Sequence, residues 1–188
     1  MRISHFLAIA LILIATLFAV SPAEAQWSAQ VTGPDVFGNT TVLAAVDSAN
    51  GDGLVVQCDQ NSELDLAYII PGTPSEMDEA TKSDVDIPAD LLLKVDSGQV
   101  IKLSAQLKPW NNSYLGVVAS GRTTDIVAAI KAIEGANDEI SVGAEILGNQ
   151  QSDAFDAGNS TSSMNTAMTD CKLDSITTGP SAGADSNK

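Results

Sequence analysis

The chain has 188 residues, a net charge of −15 and 44% hydrophobic residues, which is enough for one domain with a modest core. A charge this negative repels phosphate backbones and anionic headgroups, so no nucleic acid and no membrane surface is expected as a partner. The only histidine, His5, lies in an N-terminal leader and Arg122 is the only arginine after it, which excludes a histidine-based triad, an imidazole-ligated zinc and an arginine cluster for phosphate or carboxylate substrates.

Residues 1–25 read as a signal peptide. Arg2 supplies the positive start, Phe6–Val20 the apolar run and Ala23-Glu24-Ala25 the small-x-small cleavage pattern. The apolar run is shorter than the roughly 20 residues that span a bilayer, so cleavage before Gln26 is expected, with no membrane span afterwards and a periplasmic or secreted location. The folded domain is expected over 26–173. Two cysteines in an exported chain imply one disulfide, Cys58–Cys171, across 113 residues. The alternative, a redox pair, lacks the short Cys-x-x-Cys spacing and nearby basic groups.

Trp27–Val31 reads as a first strand, broken by Gly33-Pro34, and Thr40–Val46 as a stronger one. Ser48-Ala49-Asn50-Gly51-Asp52-Gly53 is a turn leading into Leu54–Cys58, and the polar turn Asp59–Ser62 leads into Leu64–Ile70. The stretch Gly53–Pro71 is therefore the centre of the sheet, with Cys58 inside it. The same turn aligns on a calcium loop through Ser48, Asn50, Asp52, Gly53 and Asp59, but a strand follows where a helix is required and Asp replaces the final Glu.

Gly72–Ser83 is a polar loop whose Glu76, Asp78 and Glu79 read as solvated charge, with a cation or a basic partner as the alternative. Leu91–Val95 and Val100–Leu107 form a hairpin around Asp96-Ser97-Gly98-Gln99. Pro109–Tyr114 is a turn carrying Trp110 and Tyr114, which reads first as a cover for the sheet and otherwise as a ligand-stacking platform. Leu115–Ala119 is a short strand.

Thr123–Glu134 has a helix's period, with a Thr cap, Asp125 at the dipole's positive end and Gly135 at the close. Ile140–Ile146 returns to period two and is expected to complete the sheet, after which Asp153–Gly158 turns the chain. Thr161–Cys171 is a second helix, its stripe of Met164, Ala167, Met168 and Cys171 facing the sheet. Residues 174–188 have too little apolar content to fold. The fold class is mainly β, a single small β-sandwich-like domain with one or two short helices, closed by the disulfide.

Several short blocks in order resemble two kinds of exported bacterial protein, the type VI secretion-associated VasI-like proteins and the invasion-associated locus B family. They are the strand-Cys-turn-strand at Leu54–Ile70, Lys94-Val95-Asp96-Ser97-Gly98, Trp110 with Ser113, the Ile126–Ile133 helix, and Phe155-x-x-Gly158 before the helix ending at Cys171. The resemblance implies a small disulfide-closed β-sandwich at the cell envelope, with no catalytic residues to carry over. Gln57 departs from it, standing where an arginine often precedes the cysteine of VasI-like proteins.

No catalytic, cofactor or metal residues are singled out, and the expected function is to bind another envelope or secreted protein. One alternative is a hydrolase using carboxylates alone, with candidates Asp84, Asp86, Asp90 and Glu145. The other is a calcium-stabilised surface domain. Sequons at Asn39, Asn111 and Asn159 matter only along a eukaryotic secretory route.

Overall fold

A computed structural model describes residues 26–59, 64–72, 87–111 and 113–176. The strands are β1 (Ser28–Thr32), β2 (Thr41–Asp47), β3 (Gly53–Asp59), β4 (Leu64–Pro71), β5 (Ile87–Val95), β6 (Ile101–Pro109), β7 (Tyr114–Ser120), β8 (Glu139–Ile146) and β9 (Asn149–Asp156). Two helices, α1 (Thr124–Glu134) and α2 (Ser160–Asp170), and a 3-10 turn at Leu173–Ile176 complete the described chain. All nine strands belong to one sheet in the order β1-β2-β3-β4-β7-β6-β5-β8-β9, antiparallel throughout.

The sheet is curled, so its two halves face each other as the layers of a sandwich would. Near one end the Trp27 N–H donates to the Gly158 carbonyl at 2.9 Å, and across the fold the Tyr68 and Phe155 rings meet edge to face with centroids 6.3 Å apart. Period-two alternation supplies the apolar inner face: Val42, Ala44 and Val46 of β2 and Ile140, Val142 and Ala144 of β8 point inward while their neighbours face out. In β3 the residues from Gly53 to Val56 are buried on both faces, because Val55 joins Ala67, Ile69 and Val118 in a second, smaller cluster on the outer side.

The helices enter the core by different means. In α1, Thr123 Oγ1 accepts the Ile126 N–H at 3.3 Å, and Ile126, Val127, Ile130 and Ile133 are buried. Helix α2 has no side-chain cap. Its Asn159, in the left-handed region, instead donates Nδ2 to the Trp27 carbonyl at 2.8 Å, so tertiary contacts fix where this helix starts. Asp96 in the β5–β6 turn accepts the backbone N–H groups of Asn137, Asp138 and Glu139, led by Asn137, and these hold its carboxyl below the usual range.

Cys58 and Cys171 form the disulfide, both buried, with Cα atoms 6.1 Å apart. Arg122 braces the same junction. Its Nη1 donates to the Cys171 carbonyl at 2.6 Å, where the last turn of α2 leaves acceptors open, and its Nη2 to the Asp59 carbonyl at 2.9 Å.

Three expectations change. Ile140–Ile146 does not complete the sheet, because β9 follows it through a tight turn at Leu147 and Gly148, both with positive φ. Asp153–Asp156, expected in a turn, is strand. Ordered chain also continues past the expected boundary at 173, in a 3-10 turn that packs Ile176 against the core. The leader at 1–25, the loop from 73 to 83 and residues 177–188 lie outside the described residues. No helix among the described residues is long and apolar enough to cross a membrane.

Candidate functional site

Among the described residues, the β2–β3 hairpin, Ser48–Gly53, is the most chemically loaded turn. It closes through Ser48 N to the Asp52 carbonyl at 2.8 Å and Gly51 N to the Ser48 carbonyl at 3.2 Å. Asp52 points inward and is buried. There it accepts a very short hydrogen bond from the Tyr68 hydroxyl and a longer one, 3.4 Å, from Gln151 Nε2. Asn50 Nδ2 reaches the Asp153 carboxylate of β9 at 3.0 Å. Two carboxylates, a phenol and two amides thus stitch the hairpin to β4 and to the far end of the sheet, where one unpaired member would be costly.

Burial pushes the Tyr68 phenol up, with the bond to Asp52 and the charges of Asp52 and Asp153 adding to the shift. A phenol raised above the ordinary value of about 10 stays protonated in the folded chain after it would ionise in the unfolded one. Its contribution is therefore whole below about pH 10 and drains away as pH rises further. Urea midpoints measured from pH 8 upward should fall above pH 10 in the parent protein more steeply than in Tyr68→Phe; parallel curves would refute the coupling.

This geometry parts the residues of the calcium alignment. Asp52 is engaged by Tyr68, Asn50 by Asp153, and Asp59 lies at the far end of β3 opposite Thr41. They do not converge on one point. Among the described residues no group of three or more histidine, cysteine or acidic side chains could hold a metal. Of the proposed hydrolase carboxylates, Asp84 and Asp86 lie outside the described residues. Asp90 and Glu145 are cross-strand neighbours, but Asp90 is paired with Lys102 at 2.7 Å and Glu145 accepts from Gln150 at 3.3 Å. Those bonds make them part of a surface charge network.

The other face of the same hairpin borders an open trough. Gly53, Ile69 and Gly116 follow one another across β3, β4 and β7 on the outer side. Trp110 lies down over them, half-buried, where a Cβ on Gly116 would come within 3.3 Å of its ring. Trp110 covers the outer apolar cluster, the first of its two expected roles, and with Tyr114 it lines a cavity.

At the sheet's end, β1 pairs only with β2 and exposes all its residues. Ser28–Thr32 has no charge and no proline, the usual guards of an edge, whereas the opposite edge β9 has Asp153 and Asp156. Beside β1, the loop to β2 is braced by Asp35, which accepts Phe37 N and Asn39 N, each at 2.8 Å, and Asn39 Nδ2 at 3.1 Å. These donors, led by the Asn39 N–H, hold the Asp35 carboxyl below the usual range. Gly33, at φ +132°, has no room for a Cβ, which would meet the Asn39 carbonyl at 2.6 Å. The built loop presents Val36 at 92% exposure and Phe37 at 84%.

Comparison with protein-family models, with curated proteins and with solved structures returns no match.

Proposed function

We propose that this is a periplasmic or secreted protein without catalytic machinery, which binds another envelope or secreted protein at the β1 edge. A role as an accessory to secretion or invasion accords with the blocks that resemble VasI-like and locus B proteins.

The observation that carries this reading is the braced loop. Ordering a loop costs conformational entropy, and holding an aromatic in water on top of that is a cost without return unless something covers it. An extended partner segment can add a strand along β1, taking up its open backbone groups, while Phe37 enters a pocket on that partner. The negative charge favours a partner with a basic surface. The buried disulfide fits an oxidising compartment.

Val36→Ser combined with Phe37→Ser should leave the melting temperature within about 2 °C, since both side chains are solvated. The same double variant should lose the protein that the parent captures from envelope extract, and Leu147→Ser, which removes an exposed apolar side chain elsewhere, should retain it. Equal capture by all three would overturn the proposal.

A further inference from the structure

We propose that the trough between the β2–β3 and β6–β7 hairpins is a binding site for a neutral glycan, separate from the β1 edge. Its volume is about 430 Å3, and its lining among the described residues includes Trp110, Tyr114, Asp47, Asn111, Gly53 and Ile69.

The sheet register builds the floor. Asp47, Gly53, Ile69 and Gly116 are successive partners across four strands, so two glycines flank one aliphatic side chain and the floor stays low. On one side Trp110 N and Asn111 N both donate to the Tyr114 carbonyl, at 2.9 and 3.3 Å, which ties the two aromatic residues together at the mouth of the β6–β7 hairpin. Asn111 Oδ1 accepts Ser113 N at 2.8 Å and tightens the same turn. On the other side stands Asp47. Tyr114 is 37% exposed, so the platform is open to a ligand.

Each part answers to a feature of a sugar. The aromatic rings offer negative faces to the apolar C–H face of a pyranose, and rigid side chains with few rotamers lose little entropy when covered. A carboxylate and an amide at the rim can accept and donate hydrogen bonds to hydroxyls. Asp47 and the net charge of −15 act against uronates, sialylated glycans and phosphosugars, which leaves neutral ones. A quaternary ammonium ion would also suit an aromatic pair beside a carboxylate, but it calls for an enclosing cage. This trough is open, and its polar side chains Asp47 and Asn111 are exposed.

The fold offers its own control, because Trp27 and Trp110 are the only tryptophans and Trp27 is buried at another place. In a 15N-labelled sample, cellotetraose, maltotetraose and chitotetraose are titrated one at a time, with tetragalacturonate and choline as charged probes. At least one neutral tetrasaccharide should shift the Trp110 indole signal saturably and leave that of Trp27 unmoved. Tyr114→Ala should weaken that binding about tenfold while the Trp27 signal keeps its position, as expected for loss of a stacking ring from an intact fold. No saturable shift with any neutral tetrasaccharide at about 10 mM, a range that still detects weak binding, would overturn the proposal. A response to choline or tetragalacturonate alone would overturn it too, as would undiminished binding by Tyr114→Ala.

Discussion

Replacing Cys58 and Cys171 together by alanine should lower stability by about 4–5 kcal/mol. The bond spans 113 residues, so without it the unfolded chain regains the freedom of a very long loop. Both side chains are buried, and alanine keeps the site apolar while leaving a small void at each. For a domain of this size the melting temperature should drop by roughly 10–20 °C. A reductant should bring the parent protein close to the double variant, and a melting temperature insensitive to both treatments would show that Arg122 and the packing of α2 hold the junction alone.

Trp27→Ala should cost about 3–5 kcal/mol. The residue looks expendable in the sequence, near an expected terminus and before a weak strand, yet its side chain is almost wholly buried. Its backbone is held at both ends, the N–H by the Gly158 carbonyl and the carbonyl by Asn159 Nδ2. Trp27 is thus tied by its backbone where β1, the chain after β9 and the start of α2 meet, with its indole in the core. Its Nε1 has no hydrogen-bond partner among the described residues, so Trp27→Phe removes an unsatisfied donor along with some volume. Chemical denaturation should place Trp27→Phe well above Trp27→Ala, and equal losses would mean that only the full bicyclic ring fills the site.

Much of the architecture was legible because it was written in periods. β2, β3, β4 and α1 lie within a residue or two of their expected bounds, since alternating Val, Leu and Ala or an Ile at every third and fourth place has one favourable arrangement on a core. β9 was not legible. Its sequence, Asn-Gln-Gln-Ser-Asp-Ala-Phe-Asp, offers one large apolar side chain, Phe155, and the strand forms because β8 presents a row of backbone partners across a two-residue turn. The available signal was the glycine at 148, a residue able to take the positive φ of a tight turn. β5 begins at Ile87, earlier than expected, for the same reason: its first residues pair with β6 although Pro88 and Asp90 break the pattern.

The site was half legible. Trp110 and Tyr114 stand close in sequence and could be noticed together, whereas the Asp52, Tyr68 and Asp153 cluster is assembled by sheet order from residues far apart. Phe37 went unnoticed because a lone aromatic in a polar stretch says nothing about exposure. Only the bracing by Asp35 gives its position meaning.

The docking of α2 against β1 and β2 sets an order of events during synthesis. β1 precedes α2 in the chain by all the other strands, so Trp27 and the Cys58 thiol stay uncovered until α2 has been made. Until then the chain shows water both an indole meant for the core and a reactive sulfur, the condition under which a holding chaperone does most good.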